Sequence, residues 1–252
     1  MRIAVLADVH GNLPALRAVL AECDAEPVDA LVVPGDVVGG PLPREVLEAL
    51  AARPEPVHWV AGNAERDTVR VFDGGPPGEG PPGTAARWSA DALDGAWRDR
   101  LASWPIRLEL DGVCFCHGSP RRDDEILTRA TPDEVLREAL AGVAEPLVIG
   151  GHTHQQFRRE LGEGRAYVNA GSVGMPYEGQ PGAFWAVVDG GQARLRRTAY
   201  DLDAAVAELR ASGYPDVGEM LEESLLRPVD AEWVTAFFEH GAGRGPDPGP
   251  QP

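Results

Sequence analysis

The chain has 252 residues, 43% of them hydrophobic, and a formal net charge of −17 at pH 7. This acidic balance disfavours a general nucleic-acid-binding protein, which needs a basic surface to displace counterions. The sequence contains no lysine, which excludes P-loop, Schiff-base and Ser-Lys chemistries. No apolar run approaches the ~20 residues of a membrane span, and the three cysteines form no paired pattern. We therefore expect a cytoplasmic protein that does not bind membranes.

The first 60 residues predict alternating strands and helices. Short, almost continuous apolar runs at 3–7, 30–33 and 57–60 predict strands that are buried on both faces. Leucines at helical spacing around Pro14 predict a helix after the first strand, and residues 45–52 predict a second helix. This alternation is typical of an α/β fold.

A segment of different composition follows at 66–104. Residues 72–83 contain five glycines and four prolines, which predicts a mobile loop. Residues 84–104 then read as helical, with Trp88 and Trp97 on the apolar side. This helical insertion could form a lid over a site, or its tryptophans could simply pack it against the rest of the domain.

The remaining sequence predicts further strands and helices in a single domain that spans 1–240. Strands are expected at 106–110, 113–116, 147–150, 165–168, 184–188 and 193–198. Thr131 and Glu134 predict a capping box that begins a helix ending near residue 141. C-terminal helices are expected at 202–212, 217–226 and 230–240, and the Gly/Pro-rich segment 241–252 is predicted to be disordered.

Polar side chains follow several of the predicted strands, where ligands bind in α/β sheets. They include four of the six histidines in the chain. Carboxylate, amide and imidazole groups from so many strand ends suit a pair of divalent metal ions. Caps and turns explain single positions but not the whole set. The candidate metal ligands are Asp8, His10, Asp36, Asn63, His117, His152 and His154.

These residues stand in five fragments, in the order Asp-Val-His-Gly-Asn, Gly-Asp, Gly-Asn, His-Gly and Gly-His-Thr-His. In this order and spacing they resemble the calcineurin-like metallophosphoesterases, most closely the small bacterial phosphodiesterase and diadenosine-polyphosphate hydrolase branches. The resemblance covers roughly the first 200 residues. It implies an α/β fold, an αβ-βα sandwich of two stacked mixed β-sheets flanked by helices.

The resemblance also implies a ligand set and a mechanism. Asp8, His10, Asp36 and His154 would hold the first metal, and Asp36, Asn63, His117 and His152 the second. A hydroxide bridging the two ions would attack phosphorus. The expected cofactors are two divalent ions, Mn²⁺ first, with Fe²⁺ or Zn²⁺ as alternatives.

One position departs from the family pattern. The family's motif usually continues Gly-Asn-His, whereas this chain has Ala64, which cannot act as a general acid. The departure favours phosphodiesters or nucleotide phosphoanhydrides as substrates. Two alternatives stay open: a phosphomonoesterase acting on a nucleotide or sugar phosphate, and a non-catalytic interaction scaffold.

Five further residues are candidate substrate contacts, each with a structural alternative. Asn12 could meet a substrate phosphate or cap the following helix. Glu65 or Arg66 could compensate for the missing histidine. Gly171 and Ser172 belong to a segment that lies beside the site in bacterial relatives, or they could serve a turn. The expected partner is a small phosphoester, with a nucleotide among the candidates, and a homo-oligomer is left open.

Overall fold

The computed structural model describes residues 1–251, which form two stacked five-stranded sheets with helices outside them. The first sheet contains, in spatial order, β10 (Gln192–Thr198), β9 (Ala183–Asp189), β1 (Arg2–Val5), β2 (Ala30–Pro34) and β3 (Val57–Val60). The second contains β4 (Arg107–Leu110), β5 (Val113–Cys116), β6 (Leu147–Gly150), β8 (Arg165–Ala170) and β7 (Gln156–Gly162).

Both sheets are mixed. In the first sheet β1, β2 and β3 are parallel, with Ile3 opposite Ala30 and Leu31 opposite Val57, whereas β9 runs antiparallel to β1. In the second sheet β5, β6 and β8 are parallel, and the edge strands β4 and β7 are antiparallel to their neighbours. The carboxyl ends of the parallel strands in each sheet therefore meet at one edge, where α/β proteins bind ligands.

The central strands β1, β2, β5 and β6 are buried on both faces, as their apolar runs predict. Ile3 and Val5 pack with Phe115 and Ile149 in the cluster between the two sheets, while Leu6 packs outward against the helices. The predicted sandwich of two mixed sheets flanked by helices is confirmed. The cysteines at 114 and 116 are buried on the outer face of the second sheet and form no disulfide.

Nine α-helices lie among the described residues 1–251. They are α1 (Leu13–Ala25), α2 (Pro43–Ala51), α3 (Asn63–Phe72), α4 (Gly80–Ala92), α5 (Gly95–Ser103), α6 (Asp133–Ala139), α7 (Leu202–Ala211), α8 (Val217–Leu221) and α9 (Ala231–Gly241). A π-helical turn, Glu222–Leu226, continues α8 directly. No helix in the described range is long and apolar enough to cross a membrane.

Three expectations about local structure were wrong. The segment 84–104 is helical, as predicted, and forms two helices, but the first of them begins at Gly80, inside the predicted loop. A helix can begin there because Pro81 and Pro82 fall in its first turn, where a missing N–H costs nothing. Strand β7 was not predicted, because only Phe157 and Leu161 of its side chains are buried.

The third error is the capping box. Helix α6 has no side-chain cap. Thr131 Oγ1 instead accepts a bond from the Thr128 amide (2.9 Å) and donates to Glu239 in α9 (2.8 Å). The same Glu239 carboxylate accepts a bond of 2.7 Å from Arg244, which lies in the C-terminal segment. Pro252, the last residue of the segment predicted to be disordered, lies outside the described residues.

Candidate metal centre

The seven candidate ligands all follow strands that end at the same edge of the sandwich. Asp8 and His10 follow β1, Asp36 follows β2, and Asn63 is the first residue of α3, directly after β3. In the second sheet, His117 follows β5, and the loop after β6 carries the other two histidines. The candidate ligands of the two sheets therefore lie at the same edge of the sandwich.

Most of these ligands have an unusual backbone conformation. Seven described non-glycine residues have positive φ, and five of them are candidate ligands, with φ between 44° and 70°. A non-glycine residue in this region costs of order 1–3 kcal/mol and persists only where its surroundings impose it. Hydrogen bonds between adjacent loops impose the conformation here; for example, the amide of His10 donates to the Asp36 carbonyl at 2.9 Å. The five residues are Asp8, His10, Asp36, His152 and His154.

The side chains form two groups of three, Asp8 with His10 and His154, and Asp36 with His117 and His152. Within each group the potential ligand atoms all lie within 4.8 Å of one another. The two groups are adjacent, because Asp36 Oδ2 lies 3.3 Å from His117 Nε2 and 3.7 Å from His10 Nε2. This partition matches the two ligand sets that the sequence resemblance implies, and Asp36 stands between them.

Three of the histidines are held in one tautomer. Their Nδ1 atoms face main-chain carbonyls, at 3.3 Å for His10, 2.8 Å for His117 and 2.7 Å for His154. A carbonyl can only accept a hydrogen bond, so Nδ1 must donate the proton. In the neutral ring the Nε2 lone pair then points into the site, which is how histidine is oriented for metal binding.

The centre contains buried polar atoms with no partner in the protein. Asp8 Oδ1, Asn63 Oδ1 and His117 Nε2 are buried and make no hydrogen bond among the described residues. Each such atom normally costs about 1–3 kcal/mol. His10 Nε2 and His154 Nε2 also lie only 3.1 Å apart, with both lone pairs directed inward. A cation bound by these atoms would remove every one of these conflicts, so the residues fit divalent metal ions.

Charges at the centre shift the pKa values of its histidines in opposite directions. Burial opposes protonation of His117, but the carboxylates of Asp36 and Asp8 raise its pKa to about 10. Burial, and then the adjacent His117, lower the pKa of His152 to about 4. At neutral pH in the metal-free centre, the His117 imidazole is therefore protonated and the His152 imidazole is neutral.

Glu65 supports the centre and does not line it. Its buried carboxylate accepts bonds from the amides of Asp36, Val37 and Gly62, each at 2.8 Å, and from Val38 at 3.2 Å. The residue predicted as a substrate contact therefore ties the loop after β2 to the loop after β3. The amide of Ala64 adds a bond of 2.8 Å to Asp36 Oδ1.

The other four candidate substrate contacts also interact with other parts of the protein. Asn12 is fully buried and caps α1 by accepting a bond from the Ala15 amide at 3.1 Å. The side chain of Arg66 is turned toward Asp123 and is half exposed. Ser172, also buried, donates to the Asp8 carbonyl at 2.7 Å. Gly171, with φ of +80°, packs its backbone against Gln156 and Phe184.

The centre forms the floor of a cavity of about 440 Å³. Most of its remaining lining, which we call the roof, comes from three parts of the chain: α3 and α4, the loop after Ser172, and the C-terminal segment. Sequence reasoning named none of these residues as site residues, although Asp67, Met175 and Tyr177 lie within five positions of a motif. The roof includes Asp67, Pro81, Pro82, Ala85, Ala86, Met175, Tyr177, Tyr214, Asp216, Glu219, Met220, Glu223 and Phe237.

Comparison with known proteins agrees with this geometry. An uncharacterised protein of Methanocaldococcus jannaschii is 27% identical over 247 residues, which cover 87% of this chain and 96% of the relative. The crystal structure of a metallophosphoesterase from Sphaerobacter thermophilus is 28% identical, with a TM-score of 0.68, and the match covers 87% of this chain and 98% of that one. A hypothetical protein from Pyrococcus horikoshii has the same fold, with a TM-score of 0.75, 22% identity, and coverage of 88% and 96%.

The sequence profile of the calcineurin-like phosphoesterase superfamily domain matches residues 1–190, which contain all seven candidate ligands. On the match of sequence and fold together, the chain belongs to the calcineurin-like phosphoesterase superfamily.

Proposed function

We propose that the protein is a phosphodiesterase that depends on two divalent metal ions. The observation that carries the proposal is the meeting of two ligand groups at the floor of one cavity, with Asp36 between them. When bound, such a pair of ions acidifies water and neutralises charge on phosphoryl oxygens. Asp8, His10, Asp36 and His154 would hold one ion, and Asp36, Asn63, His117 and His152 the other.

The protein's own residues would keep this centre in place before substrate arrives. The Nδ1 bonds to main-chain carbonyls hold the imidazoles of His10, His117 and His154 with Nε2 inward. Glu65 and the Ala64 amide hold the loop and the carboxylate of Asp36. Preorganisation of this kind lets a site stabilise developing charge without reorganising during the reaction.

The cavity supports a diester more than a monoester or a polyphosphate. No arginine lines it among the described residues, and its roof carries the carboxylates of Asp67, Asp216, Glu219 and Glu223. A monoester dianion or a nucleotide polyphosphate would place extra negative charge against this roof, whereas a diester carries a single charge. Ala64 lines the cavity and offers no proton to the leaving oxygen.

Several finer expectations remain predictions. They are the use of Mn²⁺, a cytoplasmic location, a homo-oligomer, a lid function for the insertion, and membership of the small bacterial phosphodiesterase branch. The monoesterase and the non-catalytic scaffold are the competing functions.

A matched pair of substrates tests the proposal. The purified chain is loaded with Mn²⁺ and assayed on bis-p-nitrophenyl phosphate and on p-nitrophenyl phosphate, which share one leaving group. We expect a higher kcat/KM for the diester. A higher value for the monoester would support the phosphomonoesterase, and absence of both bound metal and hydrolysis would support the scaffold.

A further inference from the structure

The roof of the cavity combines unpaired carboxylates with aromatic rings. Asp216, Glu219 and Glu223 line it, together with Tyr177, Tyr214 and Phe237. These residues come from the C-terminal third of the chain, beyond the segment 1–190 that matches the family in sequence, except Tyr177. The acidic and aromatic part of the roof therefore comes mostly from a segment that the family match does not cover.

Among the residues that the structure describes, three of the four roof carboxylates have no ion pair, whereas Asp67 is paired with Arg66 and Arg70. Within residues 1–251, no arginine forms an ion pair with Asp216, Glu219 or Glu223. Their neighbour Glu222, by contrast, lies outside the cavity and accepts a bond of 2.8 Å from Arg227. Burial, and then the nearby Glu219, raise the pKa of Glu223. The three acids that line the cavity, Asp216, Glu219 and Glu223, thus have no counter-charge from an arginine in the described structure.

A second feature of the roof points independently to a ligand. Tyr214 lines the cavity and is only 6% exposed, yet its hydroxyl makes no hydrogen bond within the described part of the chain. The hydroxyl oxygen keeps some accessible surface, so a bound molecule can reach it. The ring is held in place by an edge contact with Trp88, at 5.8 Å between centroids. Another ring of the lining, Tyr177, stacks on the metal-ligand candidate His154 at 4.8 Å.

The roof acids do not form another metal site. Among the described residues, the groups of three or more acidic, histidine or cysteine side chains with ligand atoms close enough for one ion are those of the centre itself. Aromatic faces beside dispersed carboxylates instead suit a larger, diffuse cation, which gains from both the ring quadrupole and the negative charge.

We propose that the roof binds a compact organic cation, a primary or quaternary ammonium group, carried on one ester arm of the phosphodiester. This inference rests on the proposed function. The single negative charge of the phosphodiester would lie at the floor and the positive charge at the roof, so the bound substrate would be a zwitterion. The absence of arginine from the described cavity lining fits such a substrate and disfavours one with a second anionic group.

Binding of a free cation tests the roof without any hydrolysis. The probes are choline and 3,3-dimethylbutanol, its uncharged isostere, measured by titration calorimetry on the full chain with and without Mn²⁺. We expect choline to bind about tenfold more tightly in both states, the size of a partly desolvated cation–aromatic contact. The preference should fall severalfold in Glu223→Gln and stay unchanged in the matched control Glu222→Gln. Equal binding of the two probes by the native chain, or a preference that Glu223→Gln leaves undiminished, would overturn the proposal.

Hydrolysis provides a second, separable test. The substrates are p-nitrophenyl phosphorylcholine and p-nitrophenyl 3,3-dimethylbutyl phosphate, which share size and leaving group and differ only in the cation. We expect a higher kcat/KM for the choline diester in the native chain and in Glu222→Gln, and a severalfold smaller difference in Glu223→Gln. Equal values in the native chain would refute the cation subsite. Hydrolysis of neither would refute the proposed function, while the calorimetry still decides on the roof.

The same headgroup occurs in soluble and in lipid diesters. Choline-containing product is therefore measured from glycerophosphocholine in solution and from phosphatidylcholine vesicles. Product from the first alone would identify a soluble substrate, and product from the second alone a lipid. Either result supports the proposed chemistry.

Discussion

Glu65 offers the most decisive test of how the centre is held together. Replacing it with glutamine keeps the size of the side chain but leaves one acceptor oxygen where there were two. Four main-chain amides now share the carboxylate, two on each oxygen. Two of them would lose their acceptor and face an amide NH₂ group, which is itself a donor.

The expected cost follows from these four bonds. A hydrogen bond to a charged acceptor contributes about 1.5–3 kcal/mol, so two lost bonds should destabilise the protein by about 3–6 kcal/mol at a pH above the Glu65 pKa, which burial and Asp36 raise to about 7. For a domain of this size that corresponds to a fall in Tm of about 10 °C. Because the amides belong to the loops that carry Asp36 and Asn63, metal affinity should fall as well.

Urea unfolding of the metal-free protein measures the first effect, and metal titration the second. Glu48→Gln is the matched control, because Glu48 lies on α2 with an exposed side chain, and it should change the unfolding free energy by less than about 0.5 kcal/mol. If Glu65→Gln instead raised KM and left stability unchanged, Glu65 would be a substrate contact and the reasoning from its buried bonds would fail.

Three further predictions concern the centre. Asp36→Asn should lower the metal content and reduce activity by orders of magnitude with little change in the circular dichroism spectrum; near-normal turnover would contradict its position between the two ligand groups. Metal binding at pH 7.5 should release about one proton, from His117 rather than from His152, because their pKa values are about 10 and about 4 in the metal-free protein. Calorimetry in buffers of different ionisation enthalpy measures this number, and zero release would refute it. Hydrolysis should depend steeply on the pKa of the leaving group, because Ala64 supplies no proton; a series of aryl and alkyl diesters checks this, and a flat dependence would mean that another group acts as the acid.

The sequence predicted the sheets, and the meeting of the candidate ligands, because both are encoded locally. A strand in the interior is a short apolar run, and β3, β5 and β6 were predicted with their bounds correct. The ligands follow these runs within a few residues, so their meeting at one edge could be inferred from the parallel order alone.

The remaining features depend on contacts between distant residues. The amides of Val37 and Val38 can donate to Glu65 only because β2 and β3 are neighbours. The sequence does not show this contact, so Glu65 was interpreted as a substrate contact. The roof combines Tyr177, Tyr214 and Glu223, and their approach depends on how the C-terminal helices pack. Strand β7 was not predicted, because its exposed charged residues are typical of a surface loop.

The floor and the roof of the cavity are encoded by different stretches of the chain. All of the candidate ligands lie in the first 154 residues, while much of the roof comes from residues 214–237. Mutations in the second stretch can therefore reshape what fits above the metal ligands without disturbing a single ligand. A chain arranged in this way can acquire a new substrate while its hydrolytic chemistry stays the same, so proteins that share this centre need not share a substrate.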